Sequence, residues 1–176
     1  MSLTEGGFWT VLHGMVAGSL FLLAFAGGLA GLWSLRPEWV TIAGMHERIR
    51  RLIAGTWIMA IIAWITVFTG TYIVYPGYRA QPPAGANLTD YPRSYLLADP
   101  SRAAWHTFGM EWKEHVAWIA PILATAVAFV VVRYGSRLAE ESRIRQALIV
   151  LFTIAFLAAA VAGLFGAFIN KVAPVK

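Results

Sequence analysis

The sequence has no cysteine and few charged residues. Only 13% of its 176 residues are charged, whereas 59% are hydrophobic, and the mean hydropathy is +0.63. Without cysteine the chain can form neither a disulfide framework nor a thiolate metal site, and it cannot attach a c-type haem covalently. The charged fraction is lower, and the hydrophobic fraction higher, than in ordinary soluble domains. The composition therefore indicates a membrane protein.

Four segments of the chain are long enough to cross a bilayer and carry almost no charge. A helix needs roughly 20 predominantly apolar residues to span the hydrocarbon layer, and backbone that faces lipid must satisfy its own hydrogen bonds, as a helix does. The predicted spans cover residues 8–35, 52–75, 115–132 and 146–170. We therefore predict an all-α polytopic membrane protein, a single domain over residues 1–176 in which four transmembrane helices form an up-down bundle.

Basic residues are concentrated in the two short connections between predicted spans. Eight of the fourteen Lys and Arg residues lie there: Arg36, Arg48, Arg50, Arg51, Arg133, Arg137, Arg143 and Arg145. Cytoplasmic loops of membrane proteins carry such an excess, so we interpret the +5 formal charge as a topology signal and expect no nucleic-acid partner. Both termini and an extracytoplasmic loop over residues 76–112, between helices 2 and 3, are then expected outside a bacterial inner membrane.

Ionisable residues are almost absent from the predicted spans. The first contains His13, and the third begins at His115 and is uncharged from there to Arg133. Ionisable groups that are retained inside a membrane usually pair or have a function. A proton pump or an ion-coupled transporter needs polar groups across the bilayer, so this pattern disfavours both.

His13 and His115 are predicted to lie at the same depth, at the outer ends of helices that run in the same direction. In an up-down bundle the first and third helices are diagonal neighbours, about 12–14 Å apart for interaxial spacings of 8–10 Å. That gap suits a haem between two imidazole ligands, and Gly14 and Gly18 would leave room for its flat ring. We therefore predict one haem b with His13 and His115 as iron ligands, and His106 in reserve if the third helix begins earlier.

The same stretch permits other interpretations. Zinc, copper or iron could bind to the oxygen and nitrogen donors of Glu111, Glu114 and His115 together with His106 or His13, although the spacing matches no dedicated metal motif. Aromatic rings beside a hydrogen-bonding histidine suit a quinone head group, which Trp112, Trp118 and His115 would bind. The histidines can also be plain interfacial polar groups in a cofactor-free accessory subunit that stabilises an assembly.

The layout of four short helices with histidines in different spans resembles small membrane b-type cytochromes, including the anchor subunits of dehydrogenases. The resemblance implies haem b and electron exchange with other membrane or extracytoplasmic redox subunits. Those families commonly hold two haems between two histidine pairs at opposite membrane faces, whereas the inner side of this chain offers only His46. We therefore predict a non-catalytic electron-transfer subunit of a larger membrane complex, with a single haem near the outer face.

Overall fold

Long helices dominate the structure. The computed structural model describes residues 4–39 and 41–175, which are 87% helical and contain no strand. Four helices are long and apolar enough to cross a membrane: Glu5–Ser34, Ile42–Arg79, Pro100–Ala139 and Ser142–Val172, here called spans 1 to 4. The predicted all-α class is confirmed, and so is the presence of four helices with the length and apolar character to span a membrane. These four apolar helices fit an integral membrane protein.

Large apolar side chains lie mainly on the outer surface of the spans, and small ones lie inside. Leu23 is 71% exposed and Phe129 is 63% exposed, while Ala60, Ala124 and Ala128 are almost completely buried. Helices in lipid pack closely through small residues, because apolar surface gains little by leaving a hydrocarbon solvent. This distribution indicates lipid contact along the spans.

Side-chain caps mark where several helices begin. The Thr4 hydroxyl accepts a hydrogen bond from the Gly7 N–H at 3.0 Å, and Asp99 Oδ1 accepts one from the Ser101 N–H at 2.9 Å, just before Pro100 opens span 3. Both arrangements satisfy N–H groups that the first helical turn leaves free. Hydrogen bonds from the Ser101 hydroxyl and backbone N–H lower the pKa of the Asp99 carboxyl from its usual value.

Helix extends into both edges of the predicted 76–112 loop. Span 2 continues to Arg79, a 3₁₀ turn covers Leu88–Asp90, a short helix covers Pro92–Leu97, and span 3 begins at Pro100. Two prolines of this segment begin helices and do not end them. Pro92 and Pro100 occupy the first turn of a helix, where a missing N–H costs nothing and the fixed φ angle favours helix formation.

Three segments within the spans are π-helical rather than α-helical: Leu12–Val16, Gly70–Val74 and Trp105–Met110. The backbone N–H that follows each segment bonds to the carbonyl five residues earlier. Such segments are rare and frequently occur at functional sites. They divide span 1 into Glu5–Val11 and Ala17–Ser34, span 2 into Ile42–Thr69 and Tyr75–Arg79, and separate Pro100–Ala104 from the rest of span 3.

Span 3 has a second irregularity, between the helices Glu111–Val116 and Ile119–Tyr134. Pro121 lies one turn beyond this break and has no backbone N–H to donate to the carbonyl four residues earlier. The remainder of span 3 is the 3₁₀ turn Gly135–Ala139, and another 3₁₀ turn, Pro37–Trp39, lies between spans 1 and 2.

The chain divides into two compact units. The described residues of the first unit are 4–18, 65–118 and 159–175, and those of the second are 19–39, 41–64 and 119–158. In the first unit Tyr78, Leu96, Met110, Ile169 and Ala173 form a buried cluster. The three π-helical segments all belong to the first unit, and so do the histidines at positions 13, 106 and 115.

In the second unit, spans 1 and 4 are joined by aromatic stacking. The rings of Phe25 and Phe156 stack with centroids 4.0 Å apart, and Phe152 is fully buried. A Cβ atom on Gly28 would lie 2.7 Å from Phe152 Cε1, so this position admits only glycine without displacement of the ring.

Candidate functional site

His13 lies in the first π-helical segment and packs against the second. Its half-buried ring places Nδ1 3.2 Å from Thr69 Oγ1 in span 2, and the Thr66 backbone is a further hydrogen-bond partner. A Cβ atom on Gly70 would lie 2.7 Å from His13 Cε1. The missing side chain of Gly70 therefore makes the space that the imidazole occupies.

Thr69 favours one tautomer of His13. Its hydroxyl oxygen lies 2.8 Å from the Ile65 carbonyl oxygen and 3.1 Å from that of Thr66, so it can donate its single hydrogen to either. With the hydrogen on a carbonyl, Thr69 Oγ1 accepts from His13 Nδ1–H. In that neutral ring, Nε2 carries the lone pair.

His115 has the same tautomer for a different reason. Its Nδ1 lies 2.8 Å from the Glu111 carbonyl oxygen, which can only accept, so Nδ1 is the donor and Nε2 again carries the lone pair. The Glu111 carboxylate is 3.8 Å from the same Nδ1, and the His115 side chain is 73% exposed. Its Nε2 is therefore open to a ligand from outside the chain.

Gly14 and Gly18 border open space. A Cβ atom built on either glycine would meet nothing within 4 Å, and Gly14 is exposed. The surface next to His13 on span 1 is thus free of side chains, as a flat ligand would need. The imidazole of His13 itself turns toward Gly70.

His106 is buried, and both of its ring nitrogens are engaged. The Nδ1 atom of His106 lies 2.9 Å from the Tyr78 hydroxyl oxygen, and Nε2 accepts a hydrogen bond from Arg93 Nε at 3.4 Å. Since Nε2 accepts, Nδ1 of the neutral ring donates to the Tyr78 oxygen. The Nε2 lone pair of His106 could bind iron only if the hydrogen bond from Arg93 were broken. This distinguishes His106 from His13 and His115.

Several polar groups of the first unit were not anticipated from the sequence. Lys113 is half-buried, and its Nζ lies 2.7 Å from the position that a Cβ atom on Gly166 would occupy. The Lys113 ammonium group is also near enough to His13 to interact with the imidazole electrostatically. Trp112 Nε1 and Glu114 Oε1 are buried and have no hydrogen-bond partner. The sequence does contain one signal for the environment of His13, which is the pair Thr69 and Gly70 inside a mostly apolar span.

Within residues 4–39 and 41–175 there is no group of three or more His, Asp or Glu side chains that could hold a metal ion. Comparisons of the chain with models of protein families, with curated proteins and with solved structures find no match.

Proposed function

We propose that this protein is a haem b-binding electron-transfer subunit of a larger membrane complex, with His13 and His115 as the iron ligands. The observation that carries the proposal is the shared tautomer of these histidines. Histidines that bind a metal usually donate their other ring N–H to an oxygen, which fixes the ring and makes the ligating nitrogen more basic. His13 donates to Thr69, and His115 donates to the Glu111 carbonyl.

The donor set fits haem b in its chemistry. Two neutral imidazoles are ordinary axial ligands, and a bound haem b supplies a one-electron iron couple. Thr69 orients His13, Glu111 orients His115, and Gly14 and Gly18 leave the neighbouring surface of span 1 clear. Because His115 and Gly14 are exposed, we expect a membrane or extracytoplasmic redox subunit to cover this surface in the complex.

The test is an absorption spectrum of the subunit purified with its native partners. Wild type should show a low-spin b-type spectrum, and His13→Ala or His115→Ala should lose the haem or convert it to high spin, since a six-coordinate iron needs both donors. His46→Ala is the matched control and should keep the spectrum. If the His106→Ala variant loses haem while His115→Ala keeps it, the ligand assignment is wrong. If wild type carries no haem, the accessory-subunit function replaces this one.

We also infer the arrangement of the chain in the membrane. The arginine distribution supports an up-down bundle in a bacterial inner membrane, with both termini and the segment around Ser94 outside. A cysteine introduced as Ser94→Cys should react with an impermeant thiol reagent added to intact cells, and one introduced as Ser136→Cys should not. Since the native chain has no cysteine, each label reports one position. The opposite labelling pattern would invert the topology.

A second candidate function, quinone binding, is favoured by one observation. The indole N–H of Trp112 is buried without an acceptor, and an unpaired buried donor is costly unless a ligand or a water satisfies it. A quinone carbonyl would accept that hydrogen bond. Trp112→Phe should then weaken binding of a quinone analogue to the full chain, whereas Trp57→Phe, which removes an indole from the second unit, serves as the control. Equal affinity of wild type and Trp112→Phe would reject this function.

A further inference from the structure

An open groove of about 740 Å³ runs along spans 1 and 2 within the second unit. Its lining residues follow helical spacing on both sides: one face of span 1 from Leu20 through Gly27 to Ser34, and one face of span 2 from Arg48 through Gly55 to Ile62. Each stretch covers 14 residue steps, or about 21 Å at helical rise. The volume lies in the range typical of sites for organic ligands, about 300–1,000 Å³.

The two ends of the groove differ in chemistry. Arg48, Arg51 and Ser34 line one end, and the rest of the lining is aliphatic or glycine. Arg48 Nη1 donates to the Ser34 carbonyl at 3.2 Å, and Arg51 Nε donates to Glu47 at 2.6 Å. A guanidinium has five N–H donors, so both arginines keep further donors for a ligand.

The glycines that line the groove have two different roles. Some allow spans 1 and 2 to approach closely, and one leaves open space. A Cβ on Gly31 would lie 3.0 Å from Leu52 Cδ1, and one on Gly55 would lie 4.0 Å from the Gly28 backbone nitrogen. Spans 1 and 2 are therefore in close contact at these positions. In contrast, a Cβ on Gly27 would meet nothing within 4 Å. The space over Gly27 is open to a ligand.

We propose that this groove binds one anionic phospholipid, with its phosphate at Arg48 and Arg51 and an acyl chain along the surface over Gly27. Basic pockets between transmembrane helices bind anionic head groups, and arginine makes strong, charge-assisted hydrogen bonds with phosphate. A groove of about 21 Å is longer than half of the roughly 30 Å hydrocarbon layer, so it accommodates the acyl chain of a lipid from one leaflet.

The charge at the groove mouth argues against a second copy of this chain as the occupant. A parallel copy seated in the groove would bring its own Arg48 and Arg51 to the same depth, and juxtaposed like charges oppose association. A phosphate instead neutralises Arg48 and gives a further acceptor to Arg51, whose Nε already donates to Glu47. A phospholipid also matches both parts of the groove, because it carries a charged group at one end and hydrocarbon along the rest of the molecule.

The experiment is native mass spectrometry of the full chain after delipidation and incubation with equal amounts of phosphatidylglycerol and phosphatidylcholine that carry the same acyl chains. Wild type should retain one phosphatidylglycerol in preference to phosphatidylcholine. Arg48→Gln and Arg51→Gln should each reduce that preference about fivefold, which corresponds to about 1 kcal/mol per basic residue near a membrane surface.

Two glycine variants separate filling of the groove from a general effect on the membrane surface. Gly27→Leu should reduce retention of both lipids, because the new side chain occupies the open space. Gly163→Leu is the matched control, since a Cβ there also meets nothing within 4 Å but the residue lies on span 4, outside the groove. Unchanged helix content by circular dichroism would show that both variants fold.

Three results would overturn the proposal. One is an unchanged lipid preference in both arginine variants, and another is lipid retention that Gly27→Leu and Gly163→Leu reduce equally. The third is a wild-type dimer that excludes lipid and that Gly27→Leu converts to a monomer, which would make the groove a self-association surface. None of these outcomes depends on whether the chain binds haem.

Discussion

Removal of the Tyr78 hydroxyl should destabilise the protein by about 1–3 kcal/mol. Tyr78 is 2% exposed and His106 is 6% exposed, and the hydroxyl lies 2.9 Å from His106 Nδ1. Tyr78→Phe keeps the ring and its packing, but it leaves the Nδ1–H of His106 buried without an acceptor. The expected loss of stability is the desolvation penalty of a buried donor without an acceptor. This penalty exceeds the net stability that an ordinary hydrogen bond contributes when it replaces hydrogen bonds to water.

A double-mutant cycle with His106→Leu isolates this hydrogen bond from the other effects of each substitution. In the His106→Leu background the Tyr78 hydroxyl has already lost its partner, so Tyr78→Phe should cost about 1 kcal/mol less there than in wild type. Arg93 loses its acceptor in both His106→Leu variants, and that contribution cancels. The assay is the free energy of unfolding in mixed detergent micelles, obtained by titration with a denaturing detergent. Additive losses, within about 0.5 kcal/mol, would refute the proposed bond.

Two further predictions concern packing and capping. Gly28→Ala should lower the free energy of unfolding by about 1–3 kcal/mol, because its methyl group overpacks against the fully buried Phe152; Gly163→Ala, whose Cβ meets open space, should be neutral or stabilising in the same titration. Asp99→Ala should destabilise the start of span 3 at neutral pH. Because the Asp99 pKa is lowered by Ser101, the extra stability that the ionised carboxylate gives is fully present above the unfolded-state pKa of about 3.9 and is lost as the pH falls through the lower native value. The difference between wild type and Asp99→Ala should therefore shrink in acid, and Asp99→Asn, which keeps a capping oxygen, should show less of this pH dependence; a difference independent of pH would contradict the role of the carboxylate.

The spans were predictable because their signal is local. A run of apolar residues without charge is sufficient to identify a membrane helix, and the structure has four such helices. Their ends were less accessible to prediction. Span 2 extends to Arg79 and span 3 begins at Pro100, since a polar or proline-containing sequence can continue or begin a helix where capping groups are present.

The partners of the histidines were not predictable, because they depend on contacts between residues far apart in sequence. His13 donates to Thr69, 56 residues away, and Tyr78 meets His106 across 28 residues. The Nε2 atom of His106 accepts in addition from Arg93, which belongs to the short helix Pro92–Leu97 within the predicted 76–112 loop. Which of the three histidines keeps a free lone pair therefore emerged only from the hydrogen-bond network.

The π-helical segments also determine where this chain can vary in length. A π-helical turn holds one residue more than the α-helix around it, so deletion of one residue within Leu12–Val16, Gly70–Val74 or Trp105–Met110 would restore continuous α-helix instead of breaking the span. The helical parts on either side would keep nearly the same relative orientation, because the wider turn takes up the extra residue locally. In an alignment of related chains, single-residue gaps should therefore collect at these three places. A chain with such a gap at residues 12–16 or 70–74 should have lost the contact of His13 with Thr69 and Gly70.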